Sequence, residues 1–151
     1  MKTKMKSLLH VLFAIAIAAL FGSAAIGADD GAAKAQAPKH KLVMQMSDAD
    51  PMRWNLALNN AQNVQEKLGR ENVDIEIVAY GPGLGMLKLD SQASQRIDEA
   101  LKRGVRLVAC EVTMKNQKVG KADMLPNVGY VASGVVELME KQQQGYSYVR
   151  P

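Results

Sequence analysis

Cysteine and histidine are scarce in this chain. Its 151 residues hold one cysteine, Cys110, and two histidines, His10 and His40. A single cysteine excludes an internal disulfide, and two isolated histidines support neither a His/Cys zinc site nor a Ser-His-Asp triad. Aromatic residues make up 5% of the chain and charged residues 23%, against 48% hydrophobic residues. This composition is typical of one modest globular domain and excludes a collagenous or fully disordered chain.

Acidic residues are absent from positions 1–28. This segment has three lysines among its first six residues, then an apolar stretch from Leu8 to Phe21, then small residues up to Ala28. The pattern predicts a secretory signal peptide over residues 1–28, cleaved after Ala25 or Ala28. An uncleaved membrane anchor is the alternative, although the apolar stretch is shorter than the roughly 20 residues of a comfortable span. We therefore expect a periplasmic protein with no stable membrane insertion after cleavage.

The positive net charge of +4 belongs mainly to the same segment. Removing its three lysines from the 19 basic residues leaves 16 against 15 acidic ones. A net charge near +1 offers no basic surface to a polyanion, so nucleic acid is not an expected partner.

The rest of the chain divides into a linker and one domain. Residues 29–38 lack large side chains and apolar periodicity, which predicts a flexible linker. From residue 39 to residue 151, apolar runs alternate with amphipathic stretches. This alternation predicts an α/β fold, a three-layer sandwich around a mostly parallel sheet of about five strands. Strands are expected at 42–46, 73–80, 105–110, 127–132 and 146–149, and helices at 51–68, from 90 or 91 to 103, within 113–123 and at 134–145.

In such a sheet, ligands gather outside the carboxyl ends of the strands, where loops and helix N-termini converge. Four segments meet this description, and Cys110 ends the third strand. Cys110 is therefore the candidate reactive residue. The candidate binding residues are Asp48, Gly81, Gly83, Lys115, Ser133 and Gly134.

Cys110 has two interpretations, a buried structural cysteine or a reactive thiol. An unpaired thiol in an oxidising compartment must be either hidden or used. A reactive thiolate needs access and stabilisation, which Lys115 and Arg53 have the charge to supply. Strand alternation predicts that Glu111 faces away from the thiol.

Two further patterns have a structural interpretation. The segment Gly81–Gly85 lacks the third glycine of a dinucleotide fingerprint, so it predicts a tight turn, and there is no Walker motif. The nine methionines suit core packing better than Cu(I) binding. No metal, nucleotide or other cofactor is therefore expected.

Four segments together resemble the DsrE/DsrF-like family, in its exported single-domain branch. They are Ala79–Gly83, Val105–Val112, Ser133–Leu138 and Gln144–Pro151, and the resemblance covers essentially residues 40–151. It implies a compact α/β sandwich and association into trimers or hexamers. In the best understood members, a single cysteine at the position of Cys110 carries sulfur as a persulfide between partner proteins.

Two functions follow from the resemblance and the residues. The first is a periplasmic sulfur-carrier or sulfur-transfer protein, either a sulfurtransferase or a sulfur-relay subunit, that uses a Cys110 persulfide and meets donor or acceptor proteins. The alternative is a non-catalytic module that binds a small ligand or Cu(I) in the same crevice. Apolar residues in the second turn, Leu84, Met86, Leu87 and Leu89, are expected to be buried either between subunits or beneath the chain's own helices.

Overall fold

The structure is a computed structural model that describes residues 40–151. The predicted signal peptide and linker lie outside the described residues. Within these residues, five strands and four α-helices follow one another. The strands are β1 His40–Met46, β2 Val73–Ala79, β3 Arg106–Cys110, β4 Gly129–Val131 and β5 Ser147–Val149; the helices are α1 Pro51–Leu68, α2 Ser94–Lys102, α3 Glu111–Gln117 and α4 Gly134–Gln143. Short 3₁₀ segments occupy Arg70–Asn72, Gly81–Leu87 and Lys121–Asp123.

The strands form one sheet in the order β4-β3-β2-β1-β5. All four pairings are parallel, which confirms the predicted α/β fold. Val43 lies opposite Glu76, and Glu76 lies opposite Arg106. Because side chains alternate along a strand, these three residues and Cys110 belong to the same face of the sheet.

The opposite face carries most of the hydrophobic core. There the sheet packs against α1, α2 and the Gly81–Leu87 segment, and Met44, Met46, Leu58, Ile75 and Ile77 are almost completely buried. Helix α1 begins as the sequence predicts, because the Asp50 carboxylate accepts a hydrogen bond of 2.8 Å from the Met52 N–H.

The face that carries Cys110 has a much smaller apolar cluster, covered by α4. Its buried members are Val43, Val78, Val108, Leu138 and Tyr146. Of the apolar side chains along α4, Val135, Val136 and Met139 are instead exposed. The covering helix thus contacts this face through few large apolar groups.

The apolar residues of the second turn pack inside the chain. Leu84, Met86 and Leu87 are fully buried, while Leu89 is 57% exposed. The first three therefore lie beneath the chain's own helices and give no surface for a second subunit.

Two helix starts differ from the predicted ones. Helix α2 begins at Ser94, because the Ser91 hydroxyl accepts from the Ala93 N–H at 3.2 Å in a preceding turn and caps no helix. Helix α3 begins at Glu111, directly after β3. Among residues 40–151, no helix has the length and apolarity needed to cross a membrane.

Candidate functional site

Cys110 connects β3 to α3. It is the last residue of β3 and also the N-cap of α3, where its Sγ accepts a hydrogen bond of 3.5 Å from the Thr113 N–H. A thiol at this position faces the unpaired N–H groups of the first helical turn. Cys110 is only 4% exposed, so its thiol has little of the direct access that a reactive thiol needs.

Thr113 joins the thiol to the glycine-containing turn after β2. Its hydroxyl accepts a hydrogen bond of 3.0 Å from the Gly81 N–H, and its backbone N–H donates to the Cys110 sulfur. The Gln117 side-chain amide donates to the Gly81 carbonyl at 3.0 Å, which fixes the same turn from the end of α3. Sequence reasoning missed Thr113, although its place three residues after an N-cap was a usable signal.

The surroundings favour the thiolate form of Cys110. Burial raises the pKa of the thiol. The opposite effect, from the Thr113 side chain and from the backbone of Gly134, Thr113 and Val112, is larger in total. The net result is a pKa below the ordinary cysteine value. The leading stabilising contacts are therefore hydrogen bonds rather than the charges of Lys115 and Arg53.

Two charged residues close to Cys110 in the sequence, Glu111 and Lys115, belong to α3. Glu111 is the first residue of α3, where the alternation of a strand no longer applies, and its carboxylate pairs with Lys121 at 3.3 Å. Lys115 is exposed on α3.

Gly134 brings the start of α4 against the turn after β2. A Cβ atom at this position would lie 3.0 Å from the Cβ of Tyr80, tighter than an ordinary contact, so glycine suits this approach. Ser133 is the N-cap residue, as predicted, but its side chain makes no capping hydrogen bond.

Tyr80 follows β2 and packs against Gly134, and its phenol interacts with residues of the C-terminal segment. Burial and the Tyr148 side chain raise the pKa of its phenol, although Arg150 and Ser47 act in the opposite direction. The group is therefore a neutral hydrogen-bonding hydroxyl at neutral pH. Tyr148 donates from its own hydroxyl to the Gln45 side-chain oxygen at 2.5 Å.

The predicted binding residues separate into three groups. Gly81 and Gly134 contact the surroundings of Cys110 directly. Asp48 instead pairs with Arg150 of the C-terminal segment, with its carboxylate 3.9 Å from the guanidinium. Gly83 has a packing role, because a Cβ there would lie 2.3 Å from the Met46 carbonyl oxygen.

Most of the methionines considered for Cu(I) belong to the large core on the other face of the sheet. They are Met44, Met46, Met86, Met114 and Met124, all of which are buried there. Among residues 40–151, no group of three or more His, Cys, Asp and Glu side chains could hold a metal ion. The methionines thus act as core residues.

A comparison with family sequence models identifies the domain. The model of the DsrE/DsrF-like family matches residues 39–151. The chain belongs to the DsrE/DsrF-like family. A search among curated proteins finds no match.

Solved structures support the same assignment for this DsrE/DsrF-like chain. A protein of unknown function, MTH1491 from Methanobacterium thermoautotrophicum, is 34% identical with a TM-score of 0.72, over 75% of this chain and 100% of that one. The conserved protein of unknown function BT1422 from Bacteroides thetaiotaomicron is 18% identical, with a TM-score of 0.59 over 74% and 94% of the two chains. The ychN protein from E. coli is 12% identical, with a TM-score of 0.60 over 76% and 99%. The last two show the fold alone.

Proposed function

We propose that this DsrE/DsrF-like protein is a sulfur carrier or sulfur-transfer protein that holds sulfur as a persulfide on Cys110. The observation that carries the proposal is the set of hydrogen bonds on the Cys110 sulfur, which lowers the pKa of a thiol that burial alone would raise. Membership of the family supports a sulfur-relay-related fold.

The chemistry requires only the thiolate and a donor with sulfane sulfur, such as a polysulfide or a protein persulfide. The Cys110 thiolate attacks the sulfane sulfur, a new S–S bond forms, and the donor's own S–S bond breaks with release of the donor thiolate. No net oxidation occurs, because the transferred sulfur atom keeps its oxidation level. The donors around Cys110 stabilise the anionic sulfur that makes the attack.

Burial of Cys110 favours the second candidate function, a binding module in which the thiol is structural. At 4% exposure, the sulfur reacts with a partner only after local opening of the surrounding loops and helix ends. The two functions therefore differ in whether the folded protein takes up sulfur.

Intact mass spectrometry after incubation with polysulfide separates them. We expect the native protein to gain the mass of one sulfur atom, reversibly with reductant, and Cys110→Ser to gain none while its circular dichroism spectrum is unchanged. Iodoacetamide should block the uptake. If the thiol reacts only after denaturation, the carrier proposal is refuted and the binding module remains.

We also propose that the protein is exported and forms a trimer or hexamer. The lysine-bearing start and the apolar stretch at Leu8–Phe21 support export. The exposed side chains of Val135, Val136 and Met139 support association. N-terminal sequencing of periplasmic protein and light scattering at micromolar concentration test the two proposals. Chains that retain Met1 in the membrane fraction, or a monomer mass, would refute them.

A further inference from the structure

A cluster of charged residues lies beneath α4, away from the Cys110 site. Glu76 projects from the middle of β2, and its side chain is only 3% exposed. One of its oxygens, Oε2, accepts from Arg106 at 2.9 Å and pairs with Lys141 at 3.0 Å. The other oxygen, Oε1, is buried and has no conventional hydrogen-bond partner. A buried carboxylate oxygen without a donor is costly, so this atom requires an explanation.

Glu137 is the neighbouring side chain that can supply a donor, because its carboxyl interacts with that of Glu76 and donates once it carries a proton. Its side chain is 19% exposed and shares the Lys141 ammonium with Glu76, at 3.4 Å from Lys141 Nζ. Two carboxylates that converge on one ammonium repel each other unless one is protonated. In agreement, burial and the neighbouring Glu76 raise the pKa of the Glu137 carboxyl.

The remaining groups of the cluster do not remove this repulsion. Asp74 accepts from the Tyr146 hydroxyl at 2.7 Å and pairs with Arg106. Three carboxyl groups, those of Asp74, Glu76 and Glu137, thus pair directly with only two cations, Arg106 and Lys141, and one proton balances the charge among these paired groups. The charged and titratable groups that face it are Asp74 and Glu76 from β2, Arg106 from β3, Glu137 and Lys141 from α4, and Tyr146 before β5, with Lys41 of β1 over the Tyr146 ring at 5.5 Å.

The same helix begins beside the Cys110 thiol. Gly134, at the start of α4, contributes to the hydrogen bonds on Cys110 and packs against Tyr80. Leu138 is the one large apolar side chain of α4 that is buried against the sheet. Because few apolar contacts hold this helix against the sheet, the ion pairs of the charged cluster contribute a large part of the free energy that keeps the helix docked.

We propose that Glu76 and Glu137 share one proton, that this proton keeps α4 docked on the sheet, and that its loss loosens α4 and exposes Cys110. The inference goes beyond the proposed function, because it concerns access to the thiol whatever the thiol's task. The Glu137 proton stabilises the docked helix fully below the ordinary glutamate pKa, and the stabilisation is lost as pH rises through the raised pKa of Glu137. A carboxyl whose pKa is higher in the docked than in the undocked helix makes undocking more favourable once it is ionised.

The test compares the wild type with Glu137→Gln, whose amide donates a hydrogen bond to Glu76 but cannot ionise. Iodoacetamide rates are measured from about pH 4.5 to about pH 9, and the ratio of the wild-type rate to the variant rate is taken, because thiol ionisation cancels in it. We expect a ratio near one at low pH that rises several-fold as pH increases through the raised pKa of Glu137. Glu140→Gln, an exposed position on the same helix, is the matched control and should follow the wild type.

A ratio that is constant with pH, or that falls as pH rises, would overturn the proposal. A second measurement uses the wild-type protein alone, so it holds even if the variant fails to fold. Carboxyl NMR titration should show Glu137 keeping its proton above the ordinary glutamate range, and titration at or below that range refutes the shared proton. Failure of the persulfide experiment leaves both readouts intact, because neither depends on sulfur uptake.

Discussion

At the scale of single residues, Thr113 matters to the thiol as much as any charged group does. The Thr113 side chain lowers the pKa of Cys110, and its hydroxyl accepts from the Gly81 N–H, so one side chain both favours the thiolate and fixes the adjacent turn. A neutral hydrogen bond inside a buried site is effective because water does not compete for the sulfur.

Replacement of this hydroxyl should therefore reduce the reactivity of the thiol. In Thr113→Val we expect the pKa of Cys110 to rise and alkylation at neutral pH to slow about tenfold, the factor for a hydrogen bond of about 1.5 kcal/mol to a charged group. The pH profile of the iodoacetamide rate measures the change. Thr113→Ser keeps the hydroxyl and should restore most of the rate. A Val variant that reacts at the wild-type rate would show that the hydroxyl does not stabilise the thiolate.

At the scale of secondary-structure elements, α1 and α4 differ in how they are held. Helix α1 has 18 residues, an aspartate N-cap and a buried stripe that includes Trp54, Leu58 and Ala61. Helix α4 has 10 residues, no side-chain cap, and only Gly134 and Leu138 buried. The position of α4 thus depends on close backbone approach at its start and on the charged cluster farther along.

The approach at Gly134 leads to a prediction in which two effects oppose each other. Alanine forms helix better than glycine by about 1 kcal/mol, so Gly134→Ala should stabilise α4 if space allowed. The added Cβ would lie 3.0 Å from Tyr80, and we expect overpacking to cost about 1 to 3 kcal/mol and to dominate. Urea unfolding measures the free-energy difference. Gln143→Ala, at an exposed position of the same helix, should change stability little; a Gly134→Ala protein as stable as the wild type would contradict the packing argument.

At the scale of the whole molecule, the two faces of the sheet depend on different interactions. One face has a large apolar core, whereas the other joins a small apolar cluster to ion pairs around Arg106 and Glu76. The stability of the second face should consequently depend on pH in both directions, through Glu137 at high pH and Asp74 at low pH.

Asp74 determines the acid limit. Burial raises the pKa of its carboxyl, but the lowering by hydrogen bonds from Tyr146 and Arg106 is larger. The pKa of Asp74 is therefore lower in the folded protein than in the unfolded chain. The resulting stabilisation is present above the ordinary aspartate pKa of about 3.9 and is lost as pH falls through the lowered value. We expect Asp74→Asn to cost about 1 to 3 kcal/mol at neutral pH, and the difference to close in acid. Thermal unfolding over a pH series tests this, with the exposed Asp98→Asn as control, and a difference independent of pH would contradict it.

The sequence by itself determined the elements whose signals are local. The Asp50-Pro51 start and the Gly69 end of α1 are visible in the sequence and are confirmed, because capping and backbone conformation depend on residues only a few positions apart. The alternation of apolar and amphipathic segments likewise predicted a parallel α/β sheet, and the position of Cys110 at the end of a strand followed from it.

Only the tertiary structure decided what surrounds Cys110 and what lies beneath α4. The Thr113 hydroxyl, the Gly81 N–H and the start of α4 come from three separate segments, and their convergence depends on the order of strands in the sheet. Glu76 and Arg106 are 30 residues apart in sequence and meet because β2 and β3 are neighbours in one register. Burial of the thiol and a carboxylate oxygen without a donor are properties of packing between distant segments, which no local pattern of residues records.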